Sequence, residues 1–355
     1  MEKHHDRAVC VMSVGGGKYL EQYRIVERQM QQYAARCNAD FVFINDWIDK
    51  SRKRDIYSQK LLIADYLRQY ELAAFFDLDI IINPVCPDIF ADIPDECGLA
   101  AVVNPRGEDK FRKIYAGNER ILNETVQDYF TSRGFAPDNR LVGNINGGVL
   151  VFRPSLVADA FKEYYYSGHT QGGHTAYEEA PMAYYAQTHN MFYALDDRYN
   201  KMLPFESGRE EFSWIYNIHH NRLYMIADKL ITKIFHKKNA IVTGKHVRFV
   251  TALISEGAYM VHMSGGFYSM AAAKRLMKDL GYEGQNKKYE RHCQNKDDAC
   301  YCGNGNVCHC VLGIYIRRKV SVVQRCRNGY DMPVLSNVYT CDRFHKRRNI
   351  VTVEL

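Results

Sequence analysis

An α/β fold built on a mostly parallel sheet is the architecture this sequence predicts, and three observations carry it. Short apolar runs alternate with segments of three-to-four spacing from the start of the chain, an order of strand, helix, strand that implies parallel pairing with right-handed crossovers. The stretch Ala73 to Pro84, AAFFDLDIIINP, is an apolar run interrupted by Asp77 and Asp79, and it reads as a buried central strand ending at a proline. The 355 residues, 46% hydrophobic, can bury a substantial core as one large domain or as a domain with an appendage.

In chain order, Ala8–Val14 (AVCVMSV) is the first strand and stops at Gly15-Gly16-Gly17. A strand, a glycine turn and a helix together let backbone N–H groups approach a ligand, so Val14, Gly15 and the nearby Tyr19 are candidate cofactor contacts. Leu20, Tyr23, Val26, Met30, Tyr33, Ala34 and Cys37 follow helical spacing, and Asp40–Asn45 (DFVFIN) is the second strand. Ser58 is expected to cap a helix running to about Tyr70, with Lys60 near its N-terminus. The aspartate-bearing strand then completes βαβαβ. Alternation along that strand points Asp77 and Asp79 to one side and Leu78 to the other. Both carboxylates can then meet one divalent cation at the strand's C-terminal end, where open α/β sheets bind ligands. Two carboxylates inside an apolar run are costly without such a cation, so turn-forming or capping aspartates are the weaker reading.

Beyond Pro84, Leu99–Val103 is a strand and residues 104–143 form a polar loop-and-helix insertion near the site. Asn144–Phe152 (NINGGVLVF) is a strand entered by two glycines, the mark of a bulge or of a close approach to the backbone. Pro154 is followed by a helix capped by Ser155, SGHTQGGHT (167–175) is a loop, and Tyr177-Glu178-Glu179 opens a helix carrying Met182, Tyr185 and Ala186. Residues 200–250 carry no clear pattern. Ala258–Met263 (AYMVHM) is a short strand containing His262, followed by Ser264-Gly265-Gly266 and a helix from Ser269 to Leu280 stopped by Gly281. A lone histidine on an apolar strand reads as a satisfied core residue. Here the glycine loop after it and the two aspartates favour a ligand, and two carboxylates with one imidazole suit Mn2+ better than zinc or calcium.

Eleven cysteines are unevenly placed: Cys10, Cys37, Cys86 and Cys97 read as small buried hydrophobes, and the other seven fall between Cys293 and Cys341. That density marks a boundary, so the expected organisation is a main domain over 1–285 and a small Cys-rich, basic appendage over 286–355. The cluster Cys293–Cys310 either holds zinc or is a loop of reduced thiols, its Cys-x-Cys spacing being poor for a tetrahedral site. From Arg317 to Leu355 there are nine Lys or Arg against three Asp or Glu, in a chain of formal charge +6. This is a solvated basic face, or a contact for a membrane surface or an acidic partner. Nucleic acid is not an expected partner, because most of the 26 tyrosines are better explained as packing. No apolar run approaches the roughly 20 residues of a membrane span, and the start lacks an apolar signal core, so the expectation is a soluble cytoplasmic protein.

The order of SQK (58–60), FFDLDIIINP (75–84), INGGVLVF (145–152), YEEA (177–180) and VHMSGG (261–266) resembles the GT-A fold nucleotide-sugar glycosyltransferases, most closely the glycogenin and lipopolysaccharide galactosyltransferase group. The likeness spans roughly residues 8–280. It implies a GT-A, Rossmann-like sheet with helices on both faces, Mn2+ (or Mg2+) held by Asp77, Asp79 and His262, and a diphosphate contact from Lys60. It also implies a nucleotide-sugar donor, UDP-sugar first, with Gly265 beside it and a glycan or glycoconjugate acceptor. Tyr19 then stacks on the base or simply packs on the first helix. The group carries a lysine where this chain has Tyr268, which leaves the second phosphate contact open. Transfer with retention is implied, with Asn146 beside the donor and Glu178 or Glu179 touching the donor sugar. Alternatively these two acids are helix N-terminal charges, or one is the base of an inverting reaction. Two rivals belong to other classes. A haloacid-dehalogenase-like phosphatase would use Asp77 as nucleophile, but Ile81 stands where such enzymes have threonine or valine. A non-catalytic sugar-binding protein would need no turnover at all.

Overall fold

The computed structural model describes residues 5–14, 16–52, 54–167, 178–215, 222–235 and 240–282, together with four strands beyond residue 299. The chain divides into two compact units, Met1–Tyr282 and Glu283–Leu355. In the first, the strands are β1 (Arg7–Met12), β2 (Asp40–Ile44), β3 (Leu72–Phe76), β4 (Ile80–Ile82), β5 (Leu99–Val103), β6 (Ile145–Phe152), β7 (Phe192–Ala194), β8 (Lys201–Met202) and β9 (Met260–His262). Six of them form the main sheet in the order β2-β1-β3-β6-β5-β7. Pairing is parallel between β1 and β2, β1 and β3, and β5 and β7, while β6 runs antiparallel to both its neighbours, β3 and β5. The sheet is mostly parallel, as the alternating pattern predicts. A second, small sheet sets β9 between β4, antiparallel, and β8, parallel.

Period-two alternation divides the main sheet's side chains between two cores. Ala8, Cys10, Ala73 and Phe75 face one, filled by Leu61–Leu67 and by Val157, Phe161 and Ala183 from the helices Pro154–Ser167 and Glu179–Thr188. Val9, Val11, Ala74 and Phe76 face the other, filled by Tyr23, Val26, Met30 and Tyr33 of helix Gly17–Arg36. Helices therefore cover both faces. A third core surrounds the small sheet, with Ile81 and Val261 against Phe249, Leu253 and Leu276. The four early cysteines are buried and free, as expected of small hydrophobes.

Four local expectations are corrected. The run 73–84 is two strands in two different sheets, with Asp77-Leu78-Asp79 in the break between them. Ser58 is not the cap: Asp55 Oδ1 accepts from the Ser58 N–H at 2.7 Å and from its hydroxyl at 2.9 Å. A charged acceptor satisfies an orphan helix-start amide better than a hydroxyl does. The segment from Ser58 is a 3-10 turn, Ser58–Leu62, and a single α turn, Ile63–Tyr66, not a helix to Tyr70. The helix after β6 begins at Pro154 itself, leaving Ser155 inside the first turn. Ser269, by contrast, caps as expected, its hydroxyl accepting from the Ala272 N–H at 3.1 Å.

In the second unit, strands Cys300–Cys302 and Asn306–Cys308 pair antiparallel, and Ile316–Val322 pairs antiparallel with Leu335–Thr340. The expected zinc site at Cys293–Cys310 and the contacts of the basic tail depend on side chains outside the described residues, as does the loop 167–175.

Candidate active site

The aspartates converge through a turn and not through strand alternation. The Asp77 carbonyl accepts from the Ile80 N–H at 3.3 Å, while Leu78 between them is buried in the core beneath helix Gly17–Arg36. The turn is held from three directions. The Asp77 N–H donates to Gly148 O on β6 at 2.9 Å, and the Met263 N–H, just past β9, donates to Asp79 O at 3.0 Å. Gln29, fully buried on helix Gly17–Arg36, donates from Nε2 to Ile80 O at 2.6 Å and accepts at Oε1 from the Ile82 N–H at 3.1 Å. Buried backbone groups must find partners, and meeting that demand here fixes where two carboxylates point.

Ligand atoms of Asp77, Asp79 and His262 all lie within 4.8 Å of one another. The carboxylates remain 27% and 24% exposed while the imidazole is buried. His262 Nε2 faces Asp79 Oδ1 at 3.2 Å, and its Nδ1 faces Asn146 Oδ1 at 3.1 Å and Asn200 Oδ1 at 3.2 Å. The Gly148 N–H donates to Asn146 Oδ1 at 3.0 Å, which identifies that atom as oxygen, and Asn200 Nδ2 donates to the same atom at 2.9 Å. Nδ1 therefore carries a proton, and Nε2 is the nitrogen offered to the aspartate side, the arrangement that orients a metal-binding histidine. Burial pushes the ring's pKa down, but Asp79 and then Asp77 outweigh it and the net shift is up. Burial likewise pushes Asp79 up, and His262 more than reverses it. Two part-exposed carboxylates and one anchored imidazole form a donor set that fits Mn2+ or Mg2+.

Lys60 lies behind the aspartates. Its ammonium donates to Asp77 Oδ2 at 2.9 Å and to Gly147 O at 3.1 Å, and pairs with Glu178 Oε1 at 3.1 Å. With three acceptors around its three donors, Lys60 is the buried counter-ion of two acids. Burial alone would lower its pKa; Asp77 and Glu178 raise it well above the ordinary lysine value. Glu178 is pushed up to about 7 by burial, against the pull of Lys60, and its Oε2 is buried with no hydrogen-bond partner among the described residues. Glu179, first residue of helix Glu179–Thr188, is also raised by burial and accepts from the Gly147 N–H at 2.8 Å and from Asn146 Nδ2 at 3.3 Å. Both acids thus join the cluster of Lys60, Asp77, Asn146 and His262.

The remaining candidates are more peripheral. Val14 is fully buried, and Tyr19 is half-buried and packs against the core of helix Gly17–Arg36. Gly15 lies outside the described residues. Gly265 has φ +60°, a conformation that favours glycine, and a Cβ there would fall 2.6 Å from Pro204. Tyr268 is close enough to Asp79 that the carboxylate, after burial, raises its hydroxyl's pKa. Sequence reasoning missed Gln29 and Asn200. Gln29 sits among the apolar positions of a helix, and Asn200 in a stretch without pattern.

The glycines of β6 are required by proximity. A Cβ on Gly148 would sit 2.3 Å from His262 Cε1 and 2.6 Å from Nδ1, and one on Gly147 would sit 2.7 Å from Glu178 Oε1. Gly148→Ala is therefore expected to displace the imidazole and weaken Mn2+ binding at least about tenfold, the scale at which supporting groups act on metal affinity. Titration calorimetry with Mn2+ measures it. Gly244→Ala, at a helix position with nothing within 4 Å, is the control that leaves binding unchanged.

No family model matches the chain, and no curated protein does. Its neighbours among solved structures are glycosyltransferases. One, a glycosyltransferase involved in the glycosylation of the major capsid of PBCV-1, is 12% identical with a TM-score of 0.43, the match covering 77% of this chain and 99% of that one. The galactosyltransferase LgtC, solved in complex with donor and acceptor sugar analogs, is 10% identical with a TM-score of 0.44, covering 80% and 99%. GlyE of Streptococcus pneumoniae TIGR4 is 13% identical with a TM-score of 0.40, covering 81% and 64%.

Asn200, buried beside His262, also lines a narrow cleft with Val103, Asn104, Met202 and Phe205, and that cleft shares Lys110, Lys201 and Glu206 with a charged cavity of about 870 Å³; Asp77, Asp79 and His262 line neither. Glu206 anchors that cavity's wall, accepting from Lys110 at 2.9 Å and from Arg209 at 3.1 Å. The walls come from 108–113 and 201–211, parts of the two least patterned stretches of the sequence.

Proposed function

We propose that the chain is a metal-dependent glycosyltransferase that moves a sugar from a nucleotide-diphosphate sugar, UDP-sugar first among them, to an acceptor hydroxyl with retention of configuration. The observation that carries this reading is the meeting of Asp77, Asp79 and His262 within 4.8 Å, with the histidine's far nitrogen anchored by two asparagines. These three residues would hold Mn2+ or Mg2+, which supplies neutralisation of the diphosphate charge that grows as the sugar departs.

The chain's own groups divide the remaining work. Lys60 pairs with Asp77 and Glu178 and holds both side chains in place. Glu178 Oε2, buried and unpartnered, is an acceptor suited to a donor-sugar hydroxyl, and Glu179 is tied to the Gly147 backbone and Asn146. Neither acid is free to swing as a base, which supports retention: a leaving phosphate oxygen can take the acceptor's proton on the same face. The acceptor glycan is assigned to the cleft from Asn200 to the Glu206 cavity, where paired charges offer many fixed donors and acceptors to a polyhydroxyl ligand.

The experiment that tests this incubates the chain with a panel of nucleotide sugars and follows nucleotide release. Release, or transfer to a saccharide acceptor, is expected with Mn2+ or Mg2+ and stops on addition of EDTA; undiminished turnover in EDTA overturns the reading. The product's anomeric coupling by NMR separates retention from inversion.

A further inference from the structure

Helix Arg222–Phe235 carries an apolar face left exposed among the described residues. Ile226, Leu230 and Ile234 recur every four positions, which sets them one above another along a single line, and they are 53%, 53% and 65% exposed. Tyr224 is also exposed. The helix also contacts the neighbouring helix Ala240–Ser255, and this line remains exposed beside that contact. Exposed aliphatic residues scattered singly need no explanation, but a line of them along a helix of roughly 21 Å does.

Charge selects the occupant. The helix holds Arg222, Lys229 and Lys233 against the single Asp228, Lys237 and Lys238 come soon after it, and Lys233 is exposed beside the apolar line. The three bases in the helix are spaced seven and four apart, so they share one side of it. A second copy of the chain would bring the same basic helix against itself and set like charges together. An anionic lipid surface answers both features, taking aliphatic side chains at the acyl boundary and lysines at the headgroups. We propose that helix Arg222–Phe235 is an in-plane membrane-binding element that docks the first unit on anionic bilayers. This helix shares no residue with the basic tail or with the candidate metal site.

Co-sedimentation of the full chain with phosphatidylcholine vesicles, with and without about a third phosphatidylglycerol, tests it. Binding is expected to the anionic vesicles, to weaken with salt, and to fall roughly tenfold or more in Ile226→Glu/Leu230→Glu, whose exposed positions leave circular dichroism and melting unchanged. Lys233→Glu should weaken binding less, which keeps the test open if the double variant fails to fold. Failure to bind anionic vesicles, or equal binding by the double variant and wild type, overturns the proposal. So does a wild-type self-association that the double variant abolishes without any vesicle binding by either, which would make the face a contact between copies.

Discussion

Asp79→Asn is expected to lower transfer by about three orders of magnitude and to abolish metal-dependent UDP binding, measured by calorimetry with Mn2+ and with EDTA. An amide is nearly the carboxylate's shape, so the turn between β3 and β4, held by backbone groups and Gln29, stays in place. The variant should melt as a cooperative fold. Its metal-free stability carries a pH signature. Asp79 is lowered from its ordinary value, so its share of the ion pair with His262 is present above the unfolded carboxylate's pKa and lost as pH falls through the lowered one. His262 is raised, so its share is present below 6.5 and lost as pH rises through the raised value. The difference in melting between wild type and Asp79→Asn should thus be largest in weakly acid solution and shrink toward alkaline pH. Transfer by Asp79→Asn within tenfold of wild type would remove Asp79 from the metal centre.

Lys60→Met is expected to cost about 3–5 kcal/mol of folding stability, the scale for removing one partner of a buried ion pair. The ammonium bonds Asp77 at 2.9 Å and Glu178 at 3.1 Å. Without it Glu178 is a buried acid with no cation, and because Asp77 keeps 27% exposure, most of the penalty falls on Glu178. Urea denaturation measures the loss, and Lys60→Met/Glu178→Leu should regain most of it, since an apolar pair of similar volume replaces a buried ion pair at little cost. A single variant within about 1 kcal/mol of wild type, on the order of an exposed pair, would show that the lysine is not a buried counter-ion.

The amino-acid sequence by itself determined the strands and helices that follow a strict period and the chemistry of the site. Leu99–Val103 and the apolar half of Asn144–Phe152 are legible because a short unbroken apolar run between polar segments marks a strand buried on both faces, and Asp77 and Asp79 because carboxylates inside an apolar run need a reason. The same signals give the glycine pair at 147 and 148 as a place of close approach, without saying that His262 is what approaches. Only the tertiary structure decided how the site is assembled. An apolar run of twelve residues looks the same whether it is one strand or two, and the choice rests on Gln29, Gly148 and Met263, whose hydrogen bonds reach the turn from three distant segments. Asn146 and Asn200 meet His262 across 116 and 62 residues. Hydrophobic period is a property of neighbours in the chain, whereas a buried polar group takes whichever partner the packed fold brings within about 3 Å. That is why the three residues that could hold a metal ion were readable and the groups that aim them were not.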